Sequence, residues 1–285
     1  ARTIATMLLS DVDLKSYTDT AYHNEELKSL TRYRFDKVRE RAKLKQSVSR
    51  LVTILFPELE KLVPSLHSVS VYALFSEYPG AKQISEAHLT KLTNLLSIAS
   101  KGHYGKEKAI QIREAAKSSI GSVMPAKSLE LKHTIKLIKE LTSEIDEIED
   151  SIQQIMDELH PPILSIPGVG IQSAAMILAE IGDFSNFESP DKILAYAGCS
   201  PSTYQSGKLT NCYAHMEKRG SRYLRYALYN ATKYVCHWNP VFAKYLAKKR
   251  AEGKHYNVAL SHATKKLVRL IYALQKSGKA YLTAA

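Results

Sequence analysis

Leu164-Ser165-Ile166-Pro167-Gly168-Val169-Gly170-Ile171-Gln172-Ser173-Ala174-Ala175-Met176-Ile177-Leu178-Ala179-Glu180-Ile181-Gly182 is the stretch on which the fold of this chain turns. Apolar residues recur at helical spacing on both sides of Gly168-Val169-Gly170, so the segment reads as helix, tight hairpin and second helix. Gly168 and Gly170 let the backbone turn where a Cβ would clash, and Ala174 lets two helices approach closely. The pattern matches a helix-hairpin-helix over residues 161–185, whose free amides at the second helix's N-terminus can face a phosphate. Contact of that kind positions nucleic acid without reading its sequence. A plain helical hairpin with glycine caps is the alternative.

Downstream lies Ala195-Tyr196-Ala197-Gly198-Cys199-Ser200-Pro201-Ser202-Thr203-Tyr204-Gln205-Ser206-Gly207-Lys208, a polar, Ser-rich interruption of the helical pattern. Lys218, Arg219, Arg222 and Arg225 follow it, and helical phase from 221 onward puts Arg222 and Arg225 on one face. Loops on rigid scaffolds often carry reactive groups. A serine beside glycine, with cations near, can attack a phosphodiester if its proton is taken and the phosphate charge is stabilised. Read alone, an exposed Ser-Gly segment of this kind is usually only a turn.

Charge sharpens the picture. Residues 201–285 carry 16 Lys and Arg against 2 Asp and Glu, whereas the whole chain nets only +12. The excess positive charge therefore sits entirely in the last third, where it attracts phosphates and speeds association. The same third holds 10 of the 17 tyrosines, a mixture suited to base stacking together with phosphate contact. A solvated basic surface over a tyrosine-rich core is the plainer reading.

The chain has 285 residues and is 45% hydrophobic, enough for a core and for more than one domain. No apolar run reaches the length of a membrane span and no signal-peptide pattern opens the chain. Cys199, Cys212 and Cys236 cannot build a disulfide framework, which points to a reducing, cytoplasmic compartment. Cys212 with His215 and Cys236 with His237 have zinc-ligand types, but their spacings fit no standard closed site, so no metal site is assigned. The first residue is alanine, and the chain is read as a fragment or processed product.

Upstream, strand-like alternation is nearly absent. Residues 22–54 read as one long helix rich in cations, among them Arg32, Arg34, Lys37, Arg39, Arg41, Lys43, Lys45 and Arg50. That run is either a solvated face or a second nucleic-acid surface. Shorter helices follow to about residue 120. Over 126–159, Ile138, Leu141, Ile145, Ile148, Ile152, Ile155 and Leu159 alternate spacings of three and four. This is a coiled-coil seam calling for a second copy of the chain, or a long helix packed on its own neighbours.

Pro201 to Gly207 and Lys218-Arg219-Gly220-Ser221-Arg222-Tyr223-Leu224-Arg225 closely resemble the C-terminal domain of the bridge-RNA-guided insertion-sequence transposases, a family that includes the Piv-type DNA invertases. The likeness continues through the hairpin, Tyr104-Gly105-Lys106, Phe56-Pro57-Glu58 and Ala1-Arg2-Thr3-Ile4-Ala5, and so covers essentially the whole chain. Members pair a RuvC-like domain, bearing an Asp-Glu-Asp-Asp metal site, with a transposase domain bearing a serine. Asp11 and Asp13 do not match those acids in position, and Glu217 departs from the small polar residue common in the family.

The resemblance implies a mainly α chain: 1–20 the tail of a RuvC-like α/β domain, 21–125 a helical region, 126–160 a coiled-coil-like helix and 161–285 the transposase domain. It implies Ser206 as nucleophile in DNA strand cleavage and exchange. It also implies Mg²⁺ on acids upstream of Ala1, donor and target DNA with a guide RNA as partners, and a homo-oligomer. Lys208, Lys218, Arg219, Arg222 and Arg225 are the expected nucleic-acid contacts on charge and proximity in sequence, and Gly168 and Gly170 are expected to contribute through the backbone amides of the hairpin. The rival expectation is a non-catalytic DNA- or RNA-binding scaffold built on the helix-hairpin-helix.

Overall fold

Helix α1 (Tyr22–Leu55) and helix α7 (Pro125–Leu159) are the two long elements foreseen from periodicity, and each exceeds 30 residues. The structure, a computed structural model, describes residues 22–201, 205–206, 209–210 and 215–282. The RuvC-like tail expected over 1–20 lies outside the described residues. The described chain is mostly helical. Internal contacts divide it into one unit of residues 33–150 and another built from residues up to 32 together with those from 151 onward.

In the first unit α1 and α7 run antiparallel. Arg34 donates to Glu149 at 2.7 Å, Lys37 pairs with Glu144 at 2.6 Å, Arg41 donates to Thr142 at 3.2 Å, and Arg50 reaches Glu130 at 3.1 Å. As one number rises the other falls. Much of the cationic run on α1 is thus matched by hydrogen-bonding side chains of α7, an arrangement neither reading of that run anticipated. Between them lie α2 (Leu59–Leu62), α3 (Val69–Glu77), α4 (Ala81–Glu86), α5 (Leu89–Ala99) and α6 (Lys106–Lys117). Their apolar faces close on one core that includes Val48, Leu51, Phe56, Leu74, Phe75, Leu92, Ile112 and Ile135.

One motif behind the family resemblance, Phe56-Pro57-Glu58, has a packing role here. Phe56 is fully buried, and the Glu58 carboxylate accepts from Ser119 Oγ at 2.6 Å and Ile120 N at 2.9 Å. Burial alone raises the Glu58 carboxyl, but these two hydrogen bonds outweigh it and hold the group below its ordinary value.

The seam on α7 is buried within this one chain. Ile138, Leu141, Ile145, Ile148 and Ile152 are all buried, so the reading in which the helix packs on its own neighbours describes the structure. The register drifts at the end: Met156 is buried, Ile155 is half-buried and Leu159 is exposed. A straight helix loses a 3.5-residue repeat by about 20° per heptad, which carries the apolar stripe from 155 to 156. His160, at a positive φ of 43°, then ends α7 before Pro161 and Pro162, which cannot continue it.

The second unit is organised around α10 (Arg222–Trp238), against which α8 (Ile171–Ile181), α11 (Pro240–Ala251) and α12 (Tyr256–Ser277) pack. Small residues face one another in it: Ala174, Ala175, Ala227, Ala231, Ala259 and Ala263 are all fully buried or nearly so. Without long side chains between them, these helices approach closely. Buried Thr264 donates to the carbonyl of Leu260, and buried Thr232 to that of Leu228, so neither hydroxyl is left unpaired. The short α9 (Pro190–Tyr196) lies on α12, where Asp191 meets Lys265 at 3.2 Å.

Because the α7 seam is sealed within the chain, Ile145→Asp should act on stability and not on assembly. An unpaired carboxylate at that buried position is expected to cost at least about 3 kcal/mol in urea unfolding. The mass by light scattering should not fall. A lower mass with little loss of stability would show that the seam joins separate chains.

Candidate functional site

The serine loop rises between α9 and α10, and its base is a ladder of backbone hydrogen bonds. Ser221 N donates to Tyr196 O at 3.0 Å, Lys218 N to Gly198 O at 3.1 Å and Glu217 N to Ser200 O at 3.1 Å. Pro201 and Met216 form an antiparallel bridge above them. Higher still, β1 (Gln205–Ser206) pairs with β2 (Leu209–Thr210), with Ser206 opposite Leu209. Ser206 is therefore carried on a strand of a two-stranded hairpin. Lys208, Cys212 and Ser202 lie outside the described residues.

Two glycines make this ladder possible. Gly198 has φ +65° and Gly220 has φ +95°, left-handed conformations that cost other residues. A Cβ on Gly198 would overlap the Arg219 carbonyl oxygen, and one on Gly220 would overlap that of Tyr196. The two arms of the loop base touch backbone to backbone.

A buried carboxylate ties this base to the helices. Glu180, on the last turn of α8, is only 2% exposed. It accepts two bonds from Arg32, from Nε at 2.6 Å and Nη2 at 3.1 Å, and one from Ser221 Oγ at 2.5 Å. Ser221 is also the N-cap of α10, accepting from Leu224 N at 3.1 Å. Burial by itself pushes the Glu180 carboxyl up. The hydrogen bonds from Arg32 and Ser221 outweigh that push and hold it below the ordinary carboxylate value. One side chain thus joins the end of α8, the start of α10 and the residue that closes the loop.

The expected nucleic-acid contacts occupy different positions around this frame. Lys218 and Arg219 are exposed at the foot of the loop, and Lys218 has a positive φ of 57°. Arg222 is exposed on the first turn of α10, its guanidinium 4.7 Å from the centre of the Tyr223 ring, which Arg32 also covers at 4.8 Å. Arg225 is half-buried, and its Nη1 donates to Ala197 O at 2.9 Å and to Lys218 O at 3.2 Å. Its first duty is to brace the loop base.

Gly168 and Gly170 lie away from the loop, beside the C-terminal half of α10. Gly168 has φ +94°, and a Cβ there would sit 2.6 Å from Tyr234 O. Gly170 caps the N-terminus of α8 with its would-be Cβ in open space. A single 3-10 turn, Pro162–Ser165, precedes this hairpin. Sequence reasoning passed over Glu180, Ser221, Gly198 and Gly220. The one clue to Glu180 was an acid standing alone in the apolar run Ala174 to Ile181.

Among the described residues no cluster of His, Cys, Asp and Glu is arranged to hold a metal ion. Burial pushes the thiols of Cys199 and Cys236 up to about 11, so both are protonated at neutral pH.

Residues 161–247 match the family model described as the Transposase IS116/IS110/IS902 family. Over 282 residues the chain is 24% identical to an uncharacterized protein of insertion element IS110 from Streptomyces coelicolor, which takes in 94% of this chain and 67% of that protein. It is 25% identical over 263 residues to an uncharacterized protein of insertion element IS116 from Streptomyces clavuligerus, covering 90% of this chain and 65% of the relative. A pilin gene-inverting protein of Moraxella bovis is 28% identical over 120 residues, 42% of this chain and 37% of that protein. The chain spans about two thirds of the length of the insertion-element relatives.

The Glu180 node makes a prediction on stability against pH. A carboxyl whose folded pKa is depressed contributes stability above its unfolded value, near 4.3 for glutamate, and that contribution fades as pH falls through the lower folded value. Glu180→Gln should therefore cost about 2 kcal/mol at neutral pH, with the gap to the wild type narrowing below about pH 4. Thermal unfolding across pH checks this. An equal gap at all pH values would mean that the ionised carboxylate contributes nothing.

Proposed function

We propose that this chain is the serine-bearing part of an insertion-element transposase, a site-specific DNA recombinase. The observation that carries the reading is the match of residues 161–247 to a transposase family, the same span that holds the serine loop, its anchor and α10. Likeness to insertion-element proteins over most of the chain, and to a pilin gene-inverting protein over a shorter stretch, supports the same class.

In this reading the Ser206 hydroxyl attacks a scissile phosphate. The Ser206 oxygen forms a bond to phosphorus, the bond from phosphorus to the leaving DNA oxygen breaks, the serine proton goes to a base, and the leaving oxygen is protonated to a free hydroxyl. The strand then remains linked to the protein as a phosphoserine until a hydroxyl of the exchanged strand attacks the same phosphorus. Lys218, Arg219 and Arg222 are exposed at the foot of the loop, and in this reading they hold backbone phosphates. The helix-hairpin-helix reading of 161–185 adds a second phosphate contact, and RNA-guided choice of target is carried over from the family resemblance. Self-association draws no support from the α7 seam, which is buried within the chain. The described residues do not fit a Mg²⁺ site.

Ser206→Ala in the full-length protein should abolish the covalent protein–DNA adduct seen on denaturing gels. DNA affinity should be nearly unchanged, because one neutral hydroxyl adds little to a surface dominated by charge. Ser200→Ala and Ser202→Ala should still form the adduct. An adduct at wild-type yield from Ser206→Ala would remove the serine from this role.

A further inference from the structure

Beside the hairpin, an open groove of about 450 Å³ is lined by the continuous run Gly168 to Ser173 on one side and by Tyr234 and Trp238 on the other. Both aromatics are well exposed, Tyr234 at 60% and Trp238 at 65%, so neither serves the core. Four residues apart on α10, they present their rings from one face of the helix, one turn above the other. On the facing wall Gly168 and Gly170 place no side chain. Gln172 lines the same groove with a buried carboxamide oxygen that lacks a hydrogen-bond partner among the described residues.

The chemistry of the surroundings selects the occupant. Lys233 and His237 are exposed on the same helix as the two rings, and residues 201–285 hold 16 basic against 2 acidic side chains. An anionic polymer is favoured there, and a second, equally basic copy of this chain is repelled. An aromatic wall within that field suits a nucleobase, whose π-face stacks while its phosphates are held by charge. In an intact duplex the base faces are already stacked on one another, so only an unpaired base can use such a wall.

We propose that this groove takes an unpaired base of the DNA strand handled at Ser206, stacked on Trp238 and Tyr234. The inference rests on the recombinase reading for its choice of DNA. α10 starts at the loop base and ends at Trp238, and its 17 residues span about 25 Å. A strand at the loop would thus meet the groove a few nucleotides away, where an extruded base would fix its register.

Trp238 is the sole tryptophan of the chain, so its fluorescence reports on the groove alone. Single-stranded oligothymidylate should quench it in a saturable way, whereas an abasic phosphodiester strand of equal length should not. Trp238→Ala and Tyr234→Ala should each weaken single-strand binding by roughly tenfold in fluorescence anisotropy with labelled oligothymidylate, leaving duplex binding unchanged. Trp238→Phe should retain most affinity, since a smaller aromatic face still stacks. Circular dichroism should show every variant folded, as both positions are exposed. Equal quenching by the abasic strand, or equal losses for single strand and duplex, would overturn the stacking assignment. A clear preference for oligouridylate over oligothymidylate would overturn the choice of DNA. None of these results bears on adduct formation by Ser206, so failure here and failure of the recombinase reading are separable.

Discussion

A buried carboxylate that accepts three hydrogen bonds is the constraint on which the second unit depends. Glu180 stands in an apolar helix, where an unpaired charge would be strongly destabilising. It is tolerated because Arg32 presents a planar fork to both oxygens and Ser221 supplies a further donor. Satisfying the charge therefore fixes the positions of α1, α8 and α10 within this unit at once. Ser221 is at the same time the cap of α10 and the donor of the first rung of the loop ladder, so the geometry of the helices passes directly into the loop. The serine loop inherits its footing from a salt bridge some distance along the chain.

The helix that receives this footing does three jobs with different faces. Leu224, Ala227, Leu228, Ala231 and Val235 bury against neighbouring helices. Its first turn offers Arg222 outward, and Arg225 reaches back to brace the loop. Its last turn ends in the exposed aromatics. A basic, tyrosine-rich composition alone leaves these roles blended, and only the helical phase separates those that pack from those that face solvent.

Much of this was legible in the sequence. The long helices, the Gly168-Val169-Gly170 turn and the polar loop between helices all follow from local rules, and the structure has each of them. Long-range pairing was not legible. Arg34, Lys37 and Arg50 looked like a solvated or nucleic-acid face because their partners Glu149, Glu144 and Glu130 lie about 80 to 115 residues away. Glu180 was missed for the same reason, since an acid on a helix is read as exposed until its partners are known. The groove was invisible because it exists only where the hairpin and α10 meet. Arg225 was read by charge as a phosphate contact, while the structure gives it two backbone carbonyls to hold. Periodicity reports that a segment is helical and which face is apolar, but not which unit buries it, and so the unit boundaries fall inside both long helices.

The central claim is that the Glu180 node holds the loop base in place, and amide hydrogen exchange tests it most directly. Opening of the ladder exposes the N–H groups of Glu217, Lys218 and Ser221, whose exchange rates report the local opening free energy. In Glu180→Gln those three amides should exchange faster by about tenfold or more. Unchanged rates at Glu217, Lys218 and Ser221 would contradict the account.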